Sequence, residues 1–255
     1  MPSIAAPRIA SRGACPNRIP GERVLNNDEK KRGSLRARVG RLLDSRGPGR
    51  SPSDWYDLPP RRVINPLISF LYSTEELVKW RAVEAVGIVV AHLASSDLEA
   101  ARNVMRRLIW NLNDESGGIG WGSPEAMGEI MAMHETMAEE YYRVLLSYVC
   151  EDCNPLGHDL LECGALWGLG RLAQARPQLL RCAAPAFLRY LPVPDPLHRG
   201  LAAWTLGFLG TAPPRALLDP ISEDFRHIKV YDKGELRTYR ICDLVKPLIE
   251  RSCHG

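Results

Sequence analysis

Four short segments of the chain look alike when stacked: WRAVEAVG (80–87), WGSPEAMG (121–128), CGALWGLG (163–170) and GLAAWTLG (200–207). Each ends in a glycine, and successive glycines are 41, 42 and 37 residues apart. A period near 40 with small residues around a glycine is typical of repeats built from two helices. Because small side chains let neighbouring helices approach closely, these segments predict the tightly packed helix of each repeat.

A second apolar-periodic segment precedes each of the four. These segments are INPLISFLY (64–72), EAARNVMRRLIWNL (99–112), MAEEYYRVLLSYV (137–149) and LLRCAAPAFLRYL (179–191). The sequence therefore predicts an all-α fold, an α-solenoid of about four helix pairs that covers residues 57–210.

The last part of the chain, residues 211–255, has a different pattern. FRHIKVYDKGELRTYRI (225–241) alternates like two short strands, and Asp232-Lys233-Gly234-Glu235 is a hairpin turn signal. A helix, DLVKPLIERS (243–252), follows. We expect a β-hairpin and helix that cap the last repeat; the alternative is an exposed strand edge that pairs with a partner.

The repeated helices share the pattern A-x-x-[AGT]-x-G. It occurs at Ala82/Ala85/Gly87, Ala165/Gly168/Gly170 and Ala202/Thr205/Gly207, whereas the second unit has Ser123 before Ala126 and Gly128. The chain thus resembles the HEAT-repeat superfamily in its short, phycobilisome-lyase-like form. Residues 58–87 and 112–130 resemble a family of bacterial HEAT-repeat proteins with no established activity. The resemblance implies a right-handed superhelix of HEAT-like helix pairs and says little about function.

The N-terminal region is basic, with twelve Lys/Arg against four Asp/Glu in residues 1–50. Residues 1–33 lack helical or strand periodicity and are rich in Pro, Gly and Arg, so we expect a disordered basic tail. A short helix and linker are predicted for residues 34–56. The remaining residues are net acidic, with 26 acidic against 21 basic side chains, which disfavours a nucleic-acid-binding body.

Composition also bounds the location of the protein. The sequence contains no uninterrupted apolar run of about 18 residues, so we expect no membrane span. We identify no secretory signal, and the seven cysteines are an odd number. We therefore expect free thiols in a cytoplasmic protein.

The stretch CEDCNPLGHDLLEC (150–163) has the C-x2-C-x4-H-x4-C spacing of a zinc knuckle. Its candidate ligands are Cys150, Cys153, His158 and Cys163. The flanking side chains are acidic rather than basic, and the set could share one ion only if the repeat helix starts after His158. We expect no cofactor and a metal-free loop, with zinc at these residues as the alternative.

A stripe of tryptophans and carboxylates is the candidate binding surface. Positions seven and three residues before each repeat glycine lie one helical turn apart and are expected to line the concave face. With two acidic residues of the neighbouring glycine-rich loop, the predicted site comprises Trp80, Glu84, Asp114, Glu115, Trp121, Glu125, Trp167 and Trp204. The same spacing places Cys163 on the stripe. The alternative is that the indoles pack between repeats.

The loop NDESGGIGWGSPE (113–125) leads into the second repeat helix. Ser123 is predicted as its N-cap, with Pro124 at the first helical position. The favoured interpretation of the loop is a long connection whose glycines allow tight packing between repeats. If it binds a ligand, the acidic pair Asp114 and Glu115 favours a cation or a partner carrying Lys or Arg over an anion.

These features favour a non-catalytic scaffold that binds a protein or peptide partner with basic residues. No convergent nucleophile or acid–base pair is evident on the stripe. The alternative is a lyase-like enzyme or accessory handling an aromatic or tetrapyrrole ligand, as the resemblance implies.

Overall fold

The structure, a computed structural model, describes residues 27–44, 51–113 and 120–253. Along the chain its α-helices are α1 (Asn27–Leu43), α2 (Ser53–Tyr56), α3 (Pro60–Phe70), α4 (Glu76–Ser96), α5 (Leu98–Asn113), α6 (Ser123–Met133), α7 (Glu135–Ser147), α8 (Asp159–Ala175), α9 (Ala184–Leu188), α10 (Pro196–Leu209), α11 (Arg215–Leu218) and α12 (Ile241–Ser252). Strands β1 (His227–Asp232) and β2 (Glu235–Arg240) lie between α11 and α12. Short 3-10 turns occur at Pro177–Leu179, Arg181–Ala183 and Asp219–Ile221.

The described residues form four helix pairs, which confirms the predicted solenoid. The outer helices are α3, α5, α7 and a fourth that is broken into 3-10 turns followed by α9. The outer helices are amphipathic: in α5 the buried residues Ala101, Val104, Met105 and Leu108 recur at helical spacing. The inner helices α4, α6, α8 and α10 pack on one another in that order.

Glycines set the close spacing of the inner helices. A Cβ atom added at Gly168 would lie 2.7 Å from the Pro124 carbonyl oxygen, and one added at Gly128 would overlap the Gly168 backbone. Only a residue without a side chain lets α6 and α8 approach this closely. Gly207 lies on the last inner helix, where no further repeat follows, and a Cβ there would meet nothing within 4 Å.

The N-terminal helix starts earlier than the sequence predicts. α1 begins at Asn27 rather than at Ser34, so the prediction of disorder for residues 27–33 is wrong. Val39 and Leu43 are buried in the core, which the helix joins by packing on α3 and α4. Residues 1–26, the rest of the predicted tail, lie outside the described residues.

The predicted hairpin and final helix are both present. Lys233 and Gly234 have φ angles of 52° and 82°, which fit a two-residue turn of type I′ between Asp232 and Glu235. Helix α12 packs on α10, with Ile241, Val245 and Leu248 buried, as expected of a cap.

The hairpin itself does more than cap the last repeat. Ile228 packs on Gly200 of α10, the Trp167 indole N–H on α8 donates to the Tyr231 carbonyl oxygen over 2.9 Å, and the Tyr231 hydroxyl donates to Glu84 on α4 over 2.6 Å. Strand β1 therefore crosses the concave face from the last repeat to the first. The expectation that the hairpin only closes the end of the solenoid is incomplete.

Within the described ranges, no helix is both long enough and apolar enough to cross a bilayer.

Candidate functional site

A pocket of about 320 Å³ opens on the concave face beside strand β1. Its wall is mostly apolar and brings together three of the four predicted tryptophans. It is lined by Trp80, Trp121, Trp167, Leu160, Leu197, Leu201, Cys163, Gly164, Glu76, Lys79, Glu125 and Lys229. We call this the tryptophan pocket.

The rings of the tryptophan pocket are fixed by their neighbours. Trp80 contacts Trp167 with ring centroids 4.6 Å apart and stacks on Tyr231 of β1 at 5.4 Å with an interplanar angle of 4°. Trp121 meets His158 edge to face at 5.3 Å. Trp167 is buried while Trp80 and Trp121 are half-buried, so the last two present ring surface to the pocket.

Glu125 gives the pocket its polar character. Its Oε1 atom pairs with Lys79 Nζ at 2.8 Å, and the Lys79 ammonium also lies 5.2 Å from the Trp80 ring. Its Oε2 atom is buried and has no hydrogen-bond partner in the part of the chain that the structure describes. A Cβ atom added at Gly164 would lie 2.7 Å from Oε2, so the glycine leaves room for the carboxylate. A buried carboxylate oxygen without a donor is energetically costly, and a ligand that donates to it would remove that cost.

Two further charges lie at the rim of the pocket. Lys229 of β1 and Glu76 of α4 approach to 3.5 Å, and both side chains are more than half exposed, at 65% and 51%. Such an ion pair contributes little to stability and can rearrange when a ligand binds.

Other residues of the predicted stripe lie elsewhere. Glu84 is covered by the hairpin, where it accepts the Tyr231 hydrogen bond. Trp204 is buried against α8, where it fills the space left by Gly170, and it contacts Phe208. The expectation of one continuous open stripe is therefore wrong at these two positions. Asp114 and Glu115 lie outside the described residues.

The start of α6 differs in detail from the prediction. The N-cap is Gly122, with a φ angle of 75°, and Ser123 is the first helical residue. A left-handed backbone favours glycine, and a Cβ atom at this position would also press on Leu71. The prediction of Ser123 as N-cap is wrong. Its hydroxyl is buried and meets no hydrogen-bond partner within the described ranges.

The four candidate zinc-knuckle residues do not meet at one point in the described part of the chain, although Cys150 and Cys153 contact each other. Helix α8 begins at Asp159, after His158, so helix geometry leaves the site possible. However, His158 packs on Trp121, Cys153 is exposed, and the Cys163 thiol points to His198 on α10. In the described part of the chain, the residues grouped closely enough to hold a metal ion are Cys163, Asp195 and His198. The expectation that the protein is metal-free stays a prediction.

A second, polar site lies under the tip of the hairpin. Here Arg171 pairs with the buried Glu129 at 2.9 Å, and Gln174 donates to Asp232 over 3.1 Å. Burial raises the pKa of Glu129, and the Arg171 guanidinium opposes that rise. These groups anchor the turn of the hairpin.

Sequence reasoning missed several residues of the tryptophan pocket. Lys79 and Leu160 come from the repeats themselves, and Lys229 comes from the hairpin. Leu160 is 55% exposed, which is unusual for a leucine beside three tryptophans. Leu160 is the second residue of α8, and an apolar side chain so close to the start of a repeat helix could have been recognised as a candidate binding residue.

Comparisons with known proteins agree with this architecture. A designed armadillo repeat protein, YIII(Dq.V1)4CPAF in complex with peptide (KR)4, is 12% identical, with 89% of this chain and 94% of that chain covered and a TM-score of 0.54. A second design, YIII(Dq)4CqI, is 12% identical, with 90% and 96% covered and a TM-score of 0.52. The fold is that of an armadillo-like helical repeat protein. Identity this low shows the fold alone.

Sequence comparisons add one relative. An uncharacterised protein of Archaeoglobus fulgidus is 42% identical over 64 residues, which is 25% of this chain and 32% of the relative. The matched stretch thus spans about a third of that relative's length. No family model matches the chain.

Proposed function

We propose that the protein is a non-catalytic scaffold whose tryptophan pocket receives a Lys or Arg side chain of a protein or peptide partner. The observation that carries this proposal is the buried Oε2 atom of Glu125, which has no hydrogen-bond donor among the described residues and belongs to a pocket lined by three tryptophans. A cationic side chain would satisfy both features, because it donates to a carboxylate and is attracted to aromatic faces.

Lys79 does not prevent this interaction. It pairs with the Oε1 atom of Glu125 and leaves Oε2 without a donor among the described residues. Because Oε2 is buried, a rotation of the Glu125 carboxylate would turn it towards the pocket. A guanidinium is planar and carries five donors, so it could bond Oε2 while stacking on an indole ring. Its aliphatic stem would pack on Leu160 and Leu201. We therefore favour arginine over lysine as the inserted residue.

Strand β1 supports an extended conformation for the partner. Asp232 and Glu235 form the hydrogen-bonded pair that closes the turn. Because hydrogen-bonded and non-hydrogen-bonded pairs alternate along an antiparallel ladder, Tyr231 and Lys229 direct their backbone N–H and C=O groups away from β2. Tyr231 follows this rule, because its carbonyl oxygen accepts from Trp167 rather than from β2. Lys229 is two residues away with the same orientation, and it lines the pocket. An extended peptide could pair with this edge while its side chain enters the pocket.

The comparisons support the same class of partner. One designed armadillo repeat protein of this fold was solved in complex with the basic peptide (KR)4. We extend the proposal to a cytoplasmic location, which fits the six cysteines of the described residues, all of them free thiols. The phycobilisome-lyase-like repeat subtype stays a prediction.

The lyase-like alternative is less favoured. Cys163 lines the pocket and is its one thiol in the described residues. Burial, assisted by the nearby carboxylates of Asp195 and Glu162, raises the pKa of the Cys163 thiol to about 12. A protonated thiol is a poor nucleophile at neutral pH.

The test is a titration of the purified protein with a synthetic (KR)4 peptide, followed by tryptophan fluorescence. Glu125→Gln removes the negative charge with little change of shape and should weaken binding by about tenfold or more, since hydrogen bonds between charged groups contribute about 1.5–3 kcal/mol. Binding should also weaken with added salt.

The matched control is Trp110→Ala, which removes a tryptophan that is 71% exposed on α5 and lies outside the pocket. This variant should bind the peptide like the wild type. If the wild type does not bind (KR)4, or if Glu125→Gln binds equally well, the proposal is wrong.

A further inference from the structure

Three side chains from two consecutive repeats converge at the edge of the tryptophan pocket. Cys163 lies in α8, Asp195 is the N-cap of α10 and His198 is the third residue of α10. One donor atom from each lies within 4.8 Å of the other two. Cys163 and His198 are both buried, at 6% exposure each. We call these residues the Cys–Asp–His cluster.

The spacing of thiol and imidazole fits a tetrahedral metal site. The Cys163 sulfur lies 3.6 Å from the Nδ1 atom of His198. Metal–ligand bonds of about 2.3 Å to sulfur and about 2.0–2.1 Å to nitrogen, at a tetrahedral angle, place the two ligand atoms about 3.6 Å apart. The sulfur is equally far from Nε2, at 3.6 Å, so it lies on the midline of the ring rather than beside Nδ1. A rotation of the Cys163 or His198 side chain would bring the sulfur and Nδ1 around one ion.

The carboxylate needs only a small shift. The Oδ2 atom of Asp195 lies 2.8 Å from Nδ1 of His198, a hydrogen-bond distance. Two ligands with bonds of about 2.0–2.1 Å would be about 3.3 Å apart in a tetrahedral site, so Oδ2 would move by about half an ångström. The same Oδ2 atom accepts the N-cap hydrogen bond from the His198 backbone N–H over 2.9 Å, so ion binding would lengthen that bond. The Asp195 side chain is 50% exposed, which gives it room for this movement.

The second nitrogen of His198 is held in the manner of a metal-binding histidine. Nε2 lies 3.3 Å from the Oε2 atom of Glu162, and the other oxygen of Glu162 accepts a hydrogen bond from the Tyr190 hydroxyl. The Tyr190 ring stacks on His198 at 5.9 Å. A carboxylate on the far nitrogen fixes the ring orientation and makes the near nitrogen a better ligand.

We propose that Cys163, Asp195 and His198 bind a divalent transition-metal ion of the zinc type. Metal binding would release the proton of the Cys163 thiol. One thiolate, one imidazole and one carboxylate are a donor set suited to zinc or cobalt and poorly suited to calcium or magnesium. Three protein ligands leave a fourth position for water or for a donor of a molecule bound in the pocket. The proposal moves Cys163 from the local zinc-knuckle pattern to a site shared with the next repeat.

Cobalt(II) is a suitable probe, because it replaces zinc in tetrahedral sites and is coloured when bound to thiolate. The full-length protein, stripped with a chelator, should bind one equivalent of Co²⁺ with a sulfur-to-cobalt charge-transfer band, and Zn²⁺ should displace it. Cys163→Ser should abolish the band. Glu162→Gln keeps all three ligands and should weaken the affinity about 10- to 100-fold.

The matched controls are Cys150→Ser and Cys153→Ser, which remove the thiols of the knuckle pattern and leave the Cys–Asp–His cluster intact. Both should bind Co²⁺ like the wild type. Zn²⁺ should also raise the melting temperature of the wild type and of both controls, because an ion bound only to the folded state stabilises it.

Three results would overturn the proposal: no charge-transfer band with wild-type protein, a band that persists in Cys163→Ser, or a band lost in Cys150→Ser or Cys153→Ser. The last would assign the metal to the knuckle residues. If Cys163→Ser fails to fold, unchanged affinity in Glu162→Gln would still count against the cluster.

Discussion

The hydroxyl group of Tyr231 ties the last element of the chain to its first repeat, and its removal tests the importance of that tie. Tyr231→Phe deletes the hydrogen bond of 2.6 Å to Glu84 and leaves the ring stacked on Trp80. Burial of the phenol, and secondarily the proximity of Glu84, raise the pKa of Tyr231. The hydroxyl therefore keeps its proton and can donate it in a hydrogen bond at all ordinary pH values.

The expected loss follows from the type of bond. A hydrogen bond to a charged group contributes about 1.5–3 kcal/mol. Glu84 also borders two cavities beside the hairpin, of about 290 and 100 Å³, which give water a route to the carboxylate. This access places the loss at about 2 kcal/mol. For a chain of this size, that corresponds to a melting temperature lower by about 4–8 °C.

Thermal and urea unfolding monitored by circular dichroism measure this loss. Tyr56→Phe is the control, because that ring contacts His92 at a tilt of 40° and is 51% exposed. It should change stability by less than about 0.5 kcal/mol. A cycle with Glu84→Gln should show a coupling energy of about 1 kcal/mol or more between the two sites. Equal effects of Tyr231→Phe and Tyr56→Phe would refute the tie between the hairpin and the first repeat.

Two further predictions concern the core and acid stability. Gly168→Ala should destabilise the protein by about 1–3 kcal/mol, because the added methyl group would press on the Pro124 carbonyl. In the control Gly207→Ala the methyl group would meet nothing within 4 Å among the described residues, so that variant should be neutral or stabilise by up to about 1 kcal/mol. Equal urea midpoints for the two variants would argue against the glycine contact. Hydrogen bonds from Arg226 and Arg199 hold the pKa of Asp224 well below its usual range, so this carboxylate stabilises the fold above its unfolded pKa of about 3.9 and loses that effect as the pH falls below it. Asp224→Asn should lower the free energy of unfolding by about 3 kcal/mol at neutral pH and make stability less dependent on acidic pH. The control Asp219→Asn, which removes a charge from an exposed pair with Arg215, should change stability little. An unchanged pH dependence in Asp224→Asn would contradict this assignment.

The repeat architecture was readable from sequence because its decisive contacts recur locally. The inner helices meet through glycines at a nearly constant interval, so the same small-residue pattern marks each contact. The hairpin turn was equally local, since Lys233 and Gly234 supply the two left-handed residues that a type I′ turn requires.

The destination of the hairpin could not be read in this way. Tyr231 and Glu84 are 147 residues apart, and no sequence pattern around either residue predicts that they are in contact. The hairpin covers part of the concave face, so the predicted stripe was divided into a buried portion and the tryptophan pocket. Trp204 has the same place in its repeat as Trp167, yet it turns to fill the space that Gly170 leaves on α8.

Cys163 shows a similar limit. Its sequence neighbours suggested a local zinc pattern, whereas its partner in space, His198, belongs to the next repeat. A usable signal was present: Cys163 lies seven residues before Gly170, and His198 lies nine before Gly207. Residues at similar positions in successive repeats become neighbours when the helices stack.

The crossing strand sets how many repeats this protein can contain. An ordinary solenoid grows or shrinks by whole units, because each unit touches only the next. Here the distance from Gly200, under Ile228, to Glu84, under Tyr231, is spanned by a few residues of β1. Duplication of one repeat would carry Glu84 beyond the reach of Tyr231. Loss of one repeat would remove an inner helix on which the strand packs. Gene duplication could therefore lengthen this array only together with a longer hairpin.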